Sequence, residues 1–148
     1  MSHDLIHRLA HLNRFLEQVF GEPTRLSDIL LRSGLSPSDI ESIKRLQMEA
    51  IFDSVCYHLV AYLREVLPPK HARVVADRFC LSGPDQPTLQ AIADELDLSR
   101  ERIRQLQNKG FKRLRPPSRR IAIEGIVVTA ATDLLRETPI SERASSRS

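Results

Sequence analysis

Tryptophan is absent, and only two tyrosines, five phenylalanines and two cysteines occur among the 148 residues. Cys56 and Cys80 stand 24 positions apart with no CxxC and no Cys/His run around either, so neither a disulfide framework nor a zinc site is indicated. Glycine is scarce at five residues, and no alternating Val/Ile/Thr run of useful length is present, which leaves a sheet without turns or strands. The longest mostly apolar run, Ile121 to Ala131, is broken by Glu124 and falls far short of the roughly 20 residues a membrane-crossing helix requires. The opening MSHDLIHRLAH places charges inside its apolar stretch and so lacks the core of a signal peptide. These absences predict an all-α protein of the reducing cytoplasm.

What remains is apolar residues recurring at three and four. Leu5, Leu9, Leu12, Leu16 and Val19 form a stripe on a helix from His3 to about Phe20, stopped by Gly21 and Pro23. Ser27 is expected to cap a short helix to about Ser33, and Ser36-Pro37-Ser38-Asp39 opens the next with a cap, a proline and an early acid. That helix could run unbroken from Pro37 to Val66, where Pro68-Pro69 follows. Such a length predicts either a break near the middle or packing against another chain, with packing inside the domain preferred. Further helices are expected from Lys70 to Phe79, Leu89 to Leu96 with Thr88 as cap, Ser99 to Leu114, and Ser118 to about Arg136. The last eight residues are expected to be disordered.

Charge is distributed unevenly. The net charge is +3, yet residues 99–120 alone carry nine bases against Glu101, a local charge of +8, while residues 1–98 carry −4 and residues 121–148 carry −1. A polyanion is the partner that such a segment fits.

Within it lies a helix-turn-helix pattern: a short helix capped by Thr88, a tight turn, and a second helix capped by Ser99, with small Ala93 permitting close approach. Ile103, Leu106, Gly110 and Leu114 recur on one face and are expected to pack against Leu89, Ile92 and Leu96. The opposite face presents Arg100, Glu101, Arg104, Gln105 and Asn108. Arginine forks onto guanine, glutamine onto adenine, and a carboxylate accepts from the cytosine amino group, each worth about 1–3 kcal/mol of discrimination. A carboxylate beside phosphates is repelled unless it meets a cytosine or orients a neighbouring arginine, so Glu101 favours base reading over purely electrostatic contact. Lys109, Lys112, Arg113, Arg115, Arg119 and Arg120 are placed to grip phosphates or meet an acidic protein.

Leu67-Pro68-Pro69, Arg78-Phe79-Cys80-Leu81 and TLQAIADELDLSRERIRQLQNKGFKRLRPPSR resemble region 4 of the bacterial sigma-70 family of RNA polymerase sigma factors, over about residues 67–120. The resemblance implies recognition of the promoter minus-35 element, with Arg100, Glu101, Arg104 and Gln105 at base-reading positions. It places Ser99, Arg102, Asn108, Lys109, Lys112, Arg113, Arg115, Arg119 and Arg120 where the family meets the DNA backbone or upstream activators. It also implies RNA polymerase core as a partner, through the flap of the beta subunit, and association with the nucleoid. No aromatic-rich basic helix like the family's region 2 is found, and Cys80 stands where many members carry glycine. Three segments are expected: a helical region 1–66 for packing or partner binding, the region 4-like module 67–120, and a C-terminal helix and tail 121–148. Residues 1–66 have no assigned counterpart and offer a surface for a partner carrying region 2, or another regulator.

Three readings stay open. The chain either directs or modulates initiation on promoter DNA, or mimics region 4 as a decoy for the beta flap or a sigma regulator, or acts as a dimeric regulator on a palindrome. No nucleophile elbow, phosphate loop or hydrolase signature is present, so neither an enzyme nor a cofactor is expected. His3, His7 and His11 recur every fourth residue, but no acid or cysteine beside them completes a metal site, and a solvated or packed face is expected. Cys56 and Cys80 are expected to be small core residues rather than a redox pair.

Overall fold

Eight helices and no strand are found in the computed structural model, which describes residues 3–83 and 87–137. They are α1 (His3–Phe20), α2 (Leu26–Arg32), α3 (Pro37–Leu46), α4 (Met48–Val66), α5 (Pro69–Arg78), α6 (Leu89–Leu96), α7 (Arg100–Leu114) and α8 (Pro117–Glu137). The tail expected to be disordered lies outside the described residues. None of the helices is long and apolar enough to cross a membrane.

Local chemistry sets most boundaries. The hydroxyls of Ser36, Thr88 and Ser99 accept from the backbone N–H of Asp39, Ala91 and Arg102 at 3.0–3.1 Å, each satisfying an orphan first-turn donor. Ser27 does not cap α2, because the helix starts before it. The Asp28 carboxylate instead accepts from Arg25 N–H at 2.9 Å, and the Asn13 amide oxygen on α1 accepts from Leu26 N–H at 3.0 Å. The expected long helix breaks at Gln47, whose φ of −141° and ψ of 14° leave the helical region. Gln47 falls midway between buried Ile43 and Ile51, where an unbroken stripe needs an apolar side chain. The two halves pack inside the molecule: α3 lies against α2, α4 and α8, and α4 against α5 and α8.

One main core draws Leu12, Phe15 and Leu16 from α1, Ile29 from α2, Ile51, Phe52, Leu59 and Leu63 from α4, Val75 from α5, Phe111 and Leu114 from α7, and Ile123, Val127 and Ala131 from α8. A smaller core joins Val74, Ile92, Ala93, Ile103 and Leu106. The inner face of α7 therefore serves two cores. Ile103 and Leu106 meet α6 as expected, whereas Gly110 and Leu114 turn away from it. A β-carbon at Gly110 would stand 2.9 Å from Val75 Cγ2, so the missing side chain is what lets α5 lie close against α7.

The N-terminal helices meet α7 at an aromatic junction. Phe15, Phe79 and Phe111 form a three-ring cluster with centroids 5.2–6.3 Å apart. Beside it, Arg115 Nε donates to the Gln18 carbonyl at 3.0 Å, holding the end of α1 to the end of α7.

Candidate nucleic-acid interface

At 100° per residue, Glu101, Arg104, Gln105, Asn108 and Lys112 fall on one stripe of α7, opposite buried Ile103, Leu106, Gly110 and Leu114. Arg100 borders it in the first turn, and Arg102, Lys109 and Arg113 flank it on the other side. All nine are exposed. With Ser99 as its cap, the positive end of the helix dipole lies beside Arg100.

Several of these side chains hold one another. Arg104 Nε and Nη2 donate to the two Glu101 oxygens at 3.0 and 2.6 Å, a forked pair in the open. This hydrogen bonding lowers the Glu101 pKa and raises that of Arg104, so both stay charged across the physiological range. Arg102 Nη1 donates to Gln105 Oε1 at 3.3 Å. Of Glu101's two alternatives, arginine orientation is the one realised within the chain.

The basic residues divide by position. Lys109, Lys112 and Arg113 project from the outer side of α7. Arg115 is drawn to Gln18, Arg119 Nη1 reaches Tyr62 Oη at 3.4 Å, and Arg120 is half-buried. The sequence pattern alone groups all six. Nothing local distinguishes those that α1 and α4 engage, because Gln18 is 97 positions from Arg115.

The remaining helix-turn-helix geometry follows from the turn. Asp97 takes a left-handed φ of +55°, closing α6 and letting Leu98 N–H bond to Ala93 carbonyl at 2.9 Å. Arg73 of α5 pairs with both Asp77 and Glu95, tying α5 to α6. With α5 behind and α6 beside it, α7 leaves one exposed face that is polar and cationic. Residues 65–116 match the family model described as sigma-70, region 4.

These residues are a sigma-70 region 4 domain. The chain is 33% identical over 97 residues to the RNA polymerase sigma-C factor of Nostoc sp. (strain PCC 7120 / SAG 25.82 / UTEX 2576), covering 66% of this chain and 21% of that protein. It is 30% identical over 118 residues to the RNA polymerase sigma factor SigA of the same organism, covering 77% and 27%. RNA polymerase sigma factor RpoD of Neisseria gonorrhoeae is 38% identical over 55 residues, covering 37% and 9%. The chain thus spans about a quarter or less of the length of these relatives. No solved structure matches it. The two Nostoc matches are longer than the 82 residues after Val66, so similarity reaches back into the N-terminal helices, where sequence reading assigned no counterpart. Leucine-rich amphipathic helices carry no motif specific to one family.

Region 4 also contains a half-buried histidine beside the basic helix. His71 on α5 lies behind Gly110, its Nδ1 buried with no hydrogen-bond partner. Burial first, then the charges of Arg113, Lys109 and Arg102, push its pKa below the usual histidine value of 6.5. The folded state therefore holds a neutral ring, while the unfolded chain takes up a proton first as pH falls. The stability tied to this ring is present above pH ~6.5 and is lost progressively below it. Thermal melts should show His71→Gln flattening the loss of stability between pH 7 and 5; an unchanged profile would show that His71 does not contribute.

Proposed function

We propose that the chain is a sigma-like transcription factor of the cytoplasm, associated with the nucleoid, which binds minus-35-type promoter DNA through α7 and engages RNA polymerase core to direct or modulate initiation. The observation that carries this reading is the free face of α7: Arg100, Glu101, Arg104 and Gln105 exposed together on a capped helix inside a region 4 domain. In this reading Arg100 and Gln105 fork onto base edges, and Glu101 holds Arg104 for a third contact or itself accepts from cytosine. Ser99, Arg102, Asn108, Lys109, Lys112 and Arg113 position the helix on phosphates, with Arg115, Arg119 and Arg120 behind them. The region 4 domain of residues 67–120 carries the recognition, while α1–α4 and α8 brace it. The beta flap of polymerase and a partner bearing region 2 complete the assembly proposed.

The test is fluorescence anisotropy of the purified chain on a minus-35 duplex and on a scrambled duplex, as a function of salt. Preference for the first is expected, with affinity falling as salt rises. Lys109→Ala and Lys112→Ala should each reduce the salt slope by about 1 while leaving the preference intact. Equal binding to both duplexes would contradict base reading.

A further inference from the structure

His7 and His11 are one turn apart on α1, and their rings meet edge to face with centroids 4.7 Å apart. The third donor the fold brings to them is not a sequence neighbour such as His3 but Cys80. A ring nitrogen of each histidine and the Cys80 thiol sulfur all lie within 4.8 Å of one another. His11 and Cys80 are buried, at 5% and 1% exposure, whereas His7 opens to solvent. The Nδ1 atom of His11 is buried and has no hydrogen-bond partner. A nitrogen that has lost water and gained no donor or acceptor is an unmet requirement that a metal ion would satisfy.

We propose that His7, His11 and Cys80 form a binding site for a thiophilic transition-metal ion, Zn²⁺ or Cu⁺, which fastens α1 to the end of α5. Two imidazoles and one thiolate suit these ions, and their bonds of roughly 2.0–2.3 Å put tetrahedral ligand atoms about 3.3–3.7 Å apart. The three atoms, within 4.8 Å of one another, reach that spacing by movement of up to about 1.5 Å. The open side beside His7 is the entry path and leaves room for water as a further ligand. Burial keeps His11 below the usual histidine pKa, in the neutral form that ligates. Arg14 and Arg78 add positive charge nearby, which opposes a cation; one thiolate offsets the ion's own charge fully for Cu⁺ but only by half for Zn²⁺.

Cys80 also occupies a backbone position with φ of +56°, a left-handed geometry that favours glycine. Cys80→Gly therefore removes the sulfur while suiting the backbone, and His7→Gln changes an exposed side chain, so both variants should keep the helical fold by circular dichroism.

The experiment titrates the purified, reduced chain with Co²⁺ as the probe for Zn²⁺, and separately with Cu⁺ in anaerobic competition against a Cu⁺ chelator. One ion per chain is expected in at least one arm: a sulfur-to-cobalt charge-transfer band with tetrahedral d–d bands, displaced by Zn²⁺, or Cu⁺ retained against the chelator. Both variants should lose that signal, and the arm that responds identifies the ion. A metal-dependent rise in melting temperature should accompany it and be absent from Cys80→Gly. Failure of both ions to bind one to one, or binding that survives in either variant, overturns the site.

Discussion

Phe111→Ala is expected to cost about 3–5 kcal/mol of folding stability, a large part of the roughly 5–15 kcal/mol that a domain possesses. Phe111 is 1% exposed, and its ring meets Phe15 of α1 at 5.7 Å and Phe79 at 5.2 Å. Truncation removes the transfer energy of the ring and leaves a cavity where α1, α5 and α7 converge. Phe15 cannot collapse into it freely because it is itself fully buried, and α7 cannot close from the other side because Gly110 already sits against Val75. The arrangement of α1 on the region 4 domain depends on the same ring, so the loss should be cooperative. Urea denaturation should show a lower midpoint with an unchanged slope. Tyr57→Ala provides the contrast: 74% exposed, it should shift stability by no more than about 0.5 kcal/mol. A loss of under about 1 kcal/mol for Phe111→Ala would show that α1 is not anchored through this cluster.

The double change Arg100→Ala with Gln105→Ala should abolish most discrimination between a minus-35 duplex and a scrambled one. Each bidentate base contact is worth about 1–3 kcal/mol, so together they account for a preference on the order of a hundredfold or more. Both side chains are exposed on α7, and the Ser99 cap and the inner face are untouched, so folding should be preserved. Binding to scrambled DNA should fall only modestly, because Lys109, Lys112 and Arg113 remain to hold phosphates. Measured by competition anisotropy, a uniform loss on both duplexes would assign the two residues to electrostatic contact. An undiminished preference would remove them from base reading altogether.

The features legible in the sequence are those whose cause lies within a few residues. Ser36, Thr88 and Ser99 cap their helices because a hydroxyl reaches an N–H three positions on, and the helix-turn-helix follows from two such caps around a short turn. The start of α2 lies one residue before the Ser27 cap expected for it, because the N–H groups there are satisfied by Asp28 and by Asn13 on another helix. Gln47 interrupts its stripe visibly, yet a single polar residue does not reveal whether the helix continues or breaks.

At the interface, the exposed face of α7 is a matter of helical period and follows from the sequence. The Glu101–Arg104 fork is likewise within reach, being a pair three positions apart. The intramolecular partners of Arg115 and Arg119 were not, since Gln18 and Tyr62 arrive from distant helices. The same holds for Cys80. Its sequence neighbours offer no histidine, and only the docking of α1 brings His7 and His11 to it.

Cys56 needed the fold for a different reason. Burial, as the first cause, pushes its thiol up to about 12, which keeps it protonated and unreactive at neutral pH. That matches a core residue rather than half of a redox pair.

The measurement that bears most directly on the proposed function is a footprint of a minus-35 promoter, made with RNA polymerase core in the presence and absence of the full chain, alongside a pull-down of the chain on core. Retention on core together with protection of the minus-35 element only when the chain is present is the result expected of a sigma-like factor. Retention without protection would contradict promoter reading and identify a region 4 decoy; protection without retention would identify a regulator independent of polymerase.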